Sequence, residues 1–167
     1  MLRRFLSRCV GPIAIAVCLS LSLLLLSPSA QADVDSGIKR YLKVTDRPVP
    51  IVLDAQGQTR LFSAEDLTQG KQLFESHCLS CHIDGATLPY PTVSLSLEAL
   101  AGAAPPRDNI RNLIAYFRHP VGYDGSDDNF WCREVPSDWL SQQQVETLAA
   151  FILRAAEQAP GWGKIGQ

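Results

Sequence analysis

Residues 78–82 read CLSCH, so that two cysteines stand three positions apart and a histidine directly follows the second one. Two thiols at this spacing can add to the two vinyl groups of one haem, and the following imidazole then lies beneath its iron. The stretch therefore predicts one covalently bound haem c, attached through Cys78 and Cys81, with His82 as the proximal axial ligand.

Two other kinds of site use cysteines at this spacing. A zinc site could take both thiols and the imidazole, but the adjacent Cys81 and His82 point in different directions and would seldom share one tetrahedral ion. A thioredoxin-like redox pair needs its thiols at a helix N-terminus, where the helix dipole lowers their pKa. Here the motif follows the end of a predicted helix, so the haem interpretation is favoured over both.

The motif leaves open which group binds the other side of the iron. Met1 is the only methionine and lies in a segment predicted to be removed, which excludes the usual methionine ligand. His77 is too close to Cys78 to cross the ring. His119, Cys132 and an open site remain, although a histidine ending a helix commonly caps carbonyls. A lone cysteine can also be an inert buried thiol or form an intermolecular disulfide, so the residues alone favour Cys132 only modestly.

Residues 1–32 have the three regions of a secretory signal peptide. Arginines open the segment, an apolar run extends to Leu26, and Ala30-Gln31-Ala32 provides an A-x-A cleavage site. The 18-residue run that ends at Leu26 is nearly long enough to span a bilayer, so an uncleaved membrane anchor is the alternative. The cleavage site favours removal of this segment, and two of the five cysteines are lost with it. A signal peptide also implies that the protein is exported.

The predicted mature chain, residues 33–167, has the size of one domain. It carries 12 Lys and Arg against 17 Asp and Glu, because Arg3, Arg4 and Arg8 leave with the signal peptide, so its net charge is −5. It lacks the basic stripe that nucleic-acid phosphates require, which excludes that class of partner. Three cysteines in an oxidising compartment are an odd number for a disulfide scaffold, so two of them are expected to have another role.

The mature chain is predicted to be mostly helical with a small β-hairpin. Residues 33–50 form a polar N-terminal arm and residues 51–167 a cytochrome c domain, with the hairpin over 50–62. The first helix is predicted to begin at Ser63, where Asp66 completes a capping box, and a short helix to cover Leu95–Ala101. A third is predicted over Asn109–Arg118 with Asp108 as its N-cap. The last is predicted to begin at Ser141, where Gln144 completes a capping box, and to end at about Gln158. Long loops between the helices favour a fold that wraps a large flat ligand.

Four stretches resemble the cytochrome c-550 family, the extrinsic low-potential c-type cytochromes of photosystem II. They are GKQLFESHCLSCH (70–82), PPRDNI (105–110), YDG (123–125) and WGK (162–164), and the likeness extends from about Leu53 to Lys164. The resemblance implies a monohaem, class I-like, mostly helical cytochrome of the thylakoid lumen, with two axial histidines and a low potential.

The sequence departs from this family at the distal ligand. No histidine stands where the family has its distal one; Cys132 lies one residue earlier, and His119 matches a position that is not a ligand. The hypothesis is therefore an iron held between His82 and Cys132, with His119 as the fallback. An anionic sulfur stabilises ferric iron and keeps the potential low without a second histidine.

Three functions are compatible with these features. The first is an electron carrier in the thylakoid lumen, peripheral to the membrane, which could act like or partly replace the extrinsic cytochrome; its partner is the lumenal face of photosystem II or a soluble redox protein. The second is a structural extrinsic subunit that stabilises photosystem II. The third is a cysteine-ligated haem sensor or sulfur enzyme. Because the sequence shows no acid–base constellation, no enzyme activity is expected and the carrier ranks first.

Overall fold

The structure is a computed structural model, and it describes residues 33–87, 93–126 and 132–164. Its elements, in chain order, are α1 (Ser36–Tyr41), β1 (Val49–Val52), β2 (Thr59–Phe62), α2 (Ala64–His77), a 3₁₀ turn (Ile83–Gly85), α3 (Leu97–Ala101), α4 (Ile110–Arg118) and α5 (Gln142–Gln158). The prediction of a mostly helical fold with a small hairpin is confirmed. The predicted signal peptide lies outside the described residues.

Helices α2 and α5 begin at the residues that the sequence predicts. At α2 the Ser63 side chain accepts a hydrogen bond from the Asp66 N–H, and the Asp66 carboxylate accepts one from the Ser63 N–H. Ser141 and Gln144 repeat the same capping box at α5. Each box satisfies two backbone donors that the first turn of a helix leaves without partners, which fixes where the helix starts.

These two helices pack closely and form the centre of the core. A methyl group at Gly70 of α2 would overlap the backbone of Thr147 in α5, so glycine allows the two backbones to approach. One helical turn further on, the ring centroids of Phe74 and Phe151 lie 5.5 Å apart. Within the part of the chain that the structure describes, no helix has the length and apolar character needed to cross a membrane.

The predicted hairpin is confirmed as an antiparallel pair of strands, β1 and β2, in a register that places Val49 opposite Phe62. Its turn is closed by Asp54, whose Oδ1 accepts a hydrogen bond of 3.2 Å from the Gln58 N–H. The other carboxylate oxygen of this buried side chain lies 3.2 Å from Nη1 of Arg111 in α4. The hairpin is thereby joined to the helical core by charge as well as by packing.

The predicted polar arm contains a helix, α1, that was not predicted from the sequence. Asp35 caps it, and Ile38, Leu42 and Val44 are buried against the domain. The Asp35 carboxylate also lies 2.6 Å from Nζ of Lys71 in α2. Six residues are too few to show helical periodicity, and the burial of these side chains depends on partners distant in sequence.

Two helix starts differ from the prediction by one or two residues. The N-cap of α4 is Asn109 rather than Asp108, because the Asn109 side chain accepts a hydrogen bond of 3.0 Å from the Asn112 N–H. Asp108 instead accepts a bond from the Asn109 side-chain amide and so orients this cap. Helix α3 begins at Leu97, because the Ser96 side chain is its cap.

Candidate functional site

The motif at residues 78–82 forms a tight turn directly after α2. The Cys78 N–H still donates to the Phe74 carbonyl at 2.8 Å, which makes Cys78 the C-cap of the helix. The Cys78 carbonyl then accepts from the Cys81 N–H at 3.1 Å and from the His82 N–H at 2.9 Å. These bonds fix the two thiol-bearing residues and the histidine on one turn, with Cys78 half-buried and Cys81 exposed.

The tautomer of His82 follows from the partners of its Nδ1 atom. The Thr87 hydroxyl lies 3.0 Å away and the Ala86 carbonyl 3.2 Å away. Thr87 donates its single hydrogen to the Val93 carbonyl, so towards His82 it can only accept. Since both neighbours accept, Nδ1 carries the proton and Nε2 keeps its lone pair, which is the form in which histidine binds a metal.

Burial keeps this histidine neutral. The largest influence on the His82 pKa is desolvation, which lowers it below its ordinary value, and the hydrogen bond to Ala86 opposes that shift. A neutral imidazole with a hydrogen-bonded Nδ1–H and an available Nε2 is the arrangement expected for an axial ligand.

The WGK stretch holds the segment that follows the motif. The indole ring of Trp162 lies so close to Gly85 that a methyl group there would come within 2.6 Å of it, and Gly85 has a positive φ of 76°. The Trp162 Nε1–H donates to the Leu95 carbonyl at 3.0 Å, and the Gly163 N–H donates to the Asp84 carbonyl at 2.8 Å. The C-terminal segment therefore supports the backbone of the segment that directly follows His82.

Cys132 is brought into the neighbourhood of the motif by the fold. The pKa of Cys78 is raised to about 12, mainly by burial and in addition by the negative charges of the Cys132 and Cys81 thiolates. Because such charge interactions require proximity, the three thiols share one region of the structure. The Cys132 side chain is half-buried.

The surroundings of Cys132 include a hydroxyl and a cation. Burial is the largest influence on its pKa and raises it, while a hydrogen bond from Tyr116 and the positive charge of Arg107 both lower it. Both residues that stabilise the thiolate come from the region around α4. Neither residue was predicted as a site residue from the sequence: Arg107 lies in the PPRDNI stretch, and no pattern distinguishes Tyr116.

The segment after Cys132 is tied to α4. The Val135 N–H donates to the Phe117 carbonyl at 2.8 Å. The Arg118 guanidinium donates to the Val135 carbonyl at 2.5 Å and to the Leu140 carbonyl at 2.9 Å. These three bonds fix the backbone that carries Cys132 relative to the helix that carries Tyr116.

The two remaining histidines are exposed. His119 follows α4 as its C-cap, with its N–H donating to the Ala115 carbonyl. His77 packs edge-on against Trp139 at 5.1 Å between ring centroids, and the Arg133 guanidinium lies 4.8 Å from the same indole ring. The fold thus brings Cys132 close enough to Cys78 to influence its pKa, whereas both of these histidines lie at the protein surface.

A haem fits the groups that this region presents. The donor set consists of two thiols on one turn, an imidazole with an available Nε2 and a third sulfur. In addition, the Nε–H of buried Arg107 has no hydrogen-bond partner among the described residues, and a buried cation of this kind calls for an anionic acceptor. The carboxylate groups of a haem and the thiolate of Cys132 both have the required charge.

Comparisons with known proteins agree with this interpretation. The chain matches the family model for the cytochrome c-550 domain over residues 42–167. It is 56% identical over 133 residues to a cytochrome c-550-like protein of Trichodesmium erythraeum, with 80% of each chain covered. It is also 50% identical over 116 residues to photosystem II extrinsic protein V of Gloeobacter violaceus, which covers 70% of this chain and 62% of that one.

A solved structure extends the likeness to the fold. The crystal structure of the PsbV2 cytochrome from Thermosynechococcus elongatus superposes with a TM-score of 0.76 at 56% identity, covering 78% of this chain and 99% of that one. The family match includes the CLSCH turn, the Arg107 region and the C-terminal WGK segment that together build the site. On these grounds the chain belongs to the cytochrome c-550 family.

Proposed function

We propose that one haem c is attached covalently to Cys78 and Cys81, with His82 as the proximal and Cys132 as the distal iron ligand. Membership of a cytochrome family implies haem c as the cofactor. The observation that carries the proposal is the proximity of Cys132 to Cys78 and Cys81, which are distant from it in sequence. The available Nε2 of His82 supplies the opposite ligand.

The choice of Cys132 over His119 is supported by burial. The Cys132 side chain is half-buried beside Tyr116, whereas His119 is exposed at the end of α4. An axial ligand has to reach the face of the haem opposite His82, and a side chain directed to solvent would need a rearrangement of the helix end to do so.

The function that fits this site is low-potential electron transfer. A bound haem supplies a one-electron ferric/ferrous couple. The chain contributes an anionic sulfur from Cys132 and an imidazole whose Nδ1–H is hydrogen-bonded, and both features favour the ferric form and lower the potential. The net charge of −5 of the predicted mature chain would steer it towards a basic partner surface at a rate that falls with added salt.

The relatives suggest where such a carrier works. One of them is named photosystem II extrinsic protein V. We therefore place this protein in the thylakoid lumen, peripheral to the membrane, where it acts like or partly replaces that extrinsic cytochrome, with the lumenal face of photosystem II or a soluble redox protein as its partner.

The same relative favours a second function, that of a structural extrinsic subunit. The two functions predict different results when photosystem II is purified and when electron transfer is measured in solution. A structural subunit co-purifies with photosystem II and supports oxygen evolution even when its haem stays oxidised. A carrier dissociates readily and exchanges electrons with a partner in solution, with salt-dependent kinetics.

The ligand assignment is tested by expressing the full chain in an oxidising host that attaches haem c and comparing two variants. We expect Cys132→Ala to keep the covalent haem but to change the ferric absorption spectrum from low-spin to high-spin. His119→Ala, the matched control, should leave that spectrum as in the wild type. A spectrum changed by His119→Ala and unaffected by Cys132→Ala would overturn the assignment.

Carbon monoxide separates the carrier from a haem sensor. A carrier keeps both axial ligands in the ferrous form, so carbon monoxide added to the reduced wild type should leave its spectrum unchanged. Rapid and complete binding would show that the distal sulfur leaves on reduction and would favour a sensor or a sulfur enzyme.

A further inference from the structure

We propose that Arg107 and Tyr116 act together as a positioning pair for the distal sulfur: Arg107 is the buried charge partner of Cys132, and it holds the Tyr116 ring so that the hydroxyl donates to that sulfur. This inference rests on Cys132 as the distal ligand, as proposed above. Neither residue belongs to the motif that would attach the haem.

Arg107 is held rigidly in the interior. Its side chain is buried, and its Nη2 donates to the Gly122 carbonyl at 2.8 Å and to the Val121 carbonyl at 3.2 Å. Its backbone N–H donates to the Leu100 carbonyl at 2.8 Å. With both its backbone and one end of its guanidinium fixed, this side chain has little freedom to adjust to a ligand and instead presents a preformed charge.

Tyr116 lies against this guanidinium. The Arg107 Cζ atom is 3.7 Å from the centroid of the Tyr116 ring, a stacked cation–π contact at close range. Such a contact fixes the plane of the ring and therefore the direction of its hydroxyl, which is engaged with Cys132. A cation over the ring also withdraws electron density from it, which makes the hydroxyl a better hydrogen-bond donor.

Arg107 lacks a carboxylate partner in the described parts of the chain. The ion pairs found there involve Arg60, Lys71, Arg111 and Arg154, and none includes Arg107. A buried cation without an anion is costly. As an iron ligand Cys132 would be deprotonated, and its thiolate, close to Arg107, is the anion that this chain itself provides.

The pair has a defined effect on the redox equilibrium. A hydrogen bond and a nearby positive charge both withdraw electron density from the sulfur and so weaken its donation to ferric iron. The two residues should therefore hold the potential above the value that the same sulfur would give alone. Removing either residue should lower the potential.

The test compares Tyr116→Phe and Arg107→Gln with the wild-type holoprotein by potentiometric titration and low-temperature EPR. Tyr116→Phe keeps the ring and its stacking, so it tests the hydroxyl even if Arg107→Gln fails to fold. For each variant we expect the equilibrium to shift about tenfold towards the oxidised form, which is 59 mV for a one-electron couple. The low-spin signal should be retained with altered g values. As control, Arg40→Gln removes a cation 5.4 Å from the Tyr41 ring in α1, away from the site, and should change neither quantity.

A double-mutant cycle distinguishes the sulfur from a haem carboxylate as the partner of Arg107. In a Cys132→Ala background, Tyr116→Phe and Arg107→Gln should no longer shift the potential, because their target is absent. Shifts that persist there, or potentials and g values that are unchanged in the single variants, would overturn the inference. A wild-type spectrum without thiolate ligation would refute the proposed function first, so the two failures are distinguishable.

Discussion

The Thr87 hydroxyl lies 3.0 Å from Nδ1 of His82 and donates its own hydrogen to the Val93 carbonyl. This relationship fixes the direction of the hydrogen bond, because an oxygen with a single hydrogen cannot donate twice. His82 must therefore donate from Nδ1, and its Nε2 is left for a metal. Two acceptors outside the CLSCH motif, the Thr87 hydroxyl and the Ala86 carbonyl, thus fix the tautomer that the motif needs.

Replacing this acceptor should change the strength of the proximal ligand. Thr87→Val keeps the shape of the side chain and leaves the Ala86 carbonyl, 3.2 Å from Nδ1, as the remaining acceptor of the His82 proton. Hydrogen bonding at Nδ1 raises the basicity of a ligating histidine, so its partial loss should raise the reduction potential of the holoprotein. Potentiometric titration measures this change. Thr59→Val, on an exposed strand position, is the control, and equal potentials for the two variants would contradict the role of Thr87.

The crossing of α2 and α5 should be sensitive to a single methyl group. Gly70→Ala places that group into the Thr147 backbone, and we expect it to lower the free energy of unfolding by about 3 kcal/mol, because backbone cannot move aside as a side chain can. Denaturant unfolding of the holoprotein measures the difference.

Gly57→Ala is the matched control for that change. Gly57, unlike the helical Gly70, has a positive φ of 76°, and open space surrounds the position of an added methyl group. The expected cost there is about 1 kcal/mol, from the left-handed backbone alone. If the two variants lost the same stability, the close approach of the two helices would not matter energetically.

The ion pair between α1 and α2 predicts a pH dependence of stability. The Lys71 ammonium, which donates to Asp35 Oδ2 at 2.6 Å, is the main reason why the pKa of Asp35 lies below its ordinary value of 3.8. The unfolded chain therefore takes up this proton before the folded chain does. The resulting stability is fully present above pH 3.8 and is lost as the pH falls through the lower pKa of the folded state.

Asp35→Asn isolates this contribution, because asparagine retains the N-cap bonds to the Gly37 and Ile38 N–H groups but not the charge. We expect it to cost about 0.5 kcal/mol at pH 7, a value reduced by the partial exposure of both side chains. The gap between variant and wild type should close as the pH falls below 3.8 in thermal unfolding experiments. A gap that stays constant with pH would assign the effect to packing.

Local patterns were sufficient to predict most of the helical frame. The Ser63–Asp66 and Ser141–Gln144 capping boxes are determined by residues three apart, so the sequence contains all the information that sets these helix starts. Asn109 was missed as the cap of α4, because Asp108 beside it is an equally good cap and only the backbone conformation selects between them.

The groups around the distal sulfur could not be predicted in this way. Arg107 and Tyr116 meet because a loop and a helix pack together, and their stacking at 3.7 Å has no periodic signature. The same holds for α1, whose Ile38 is buried by residues elsewhere in the chain. The CLSCH motif specifies its own chemistry, whereas the residues that would tune it are determined by tertiary structure.

The central claim is that a sulfur opposes His82 across the iron. Low-temperature EPR of the ferric wild-type holoprotein, expressed with haem attachment in an oxidising host, tests it most directly. We predict a low-spin signal with the narrow spread of g values typical of thiolate ligation, lost in Cys132→Ala and retained in His119→Ala. A wide spread of g values, as given by two imidazoles, would contradict the account and transfer the distal position to His119.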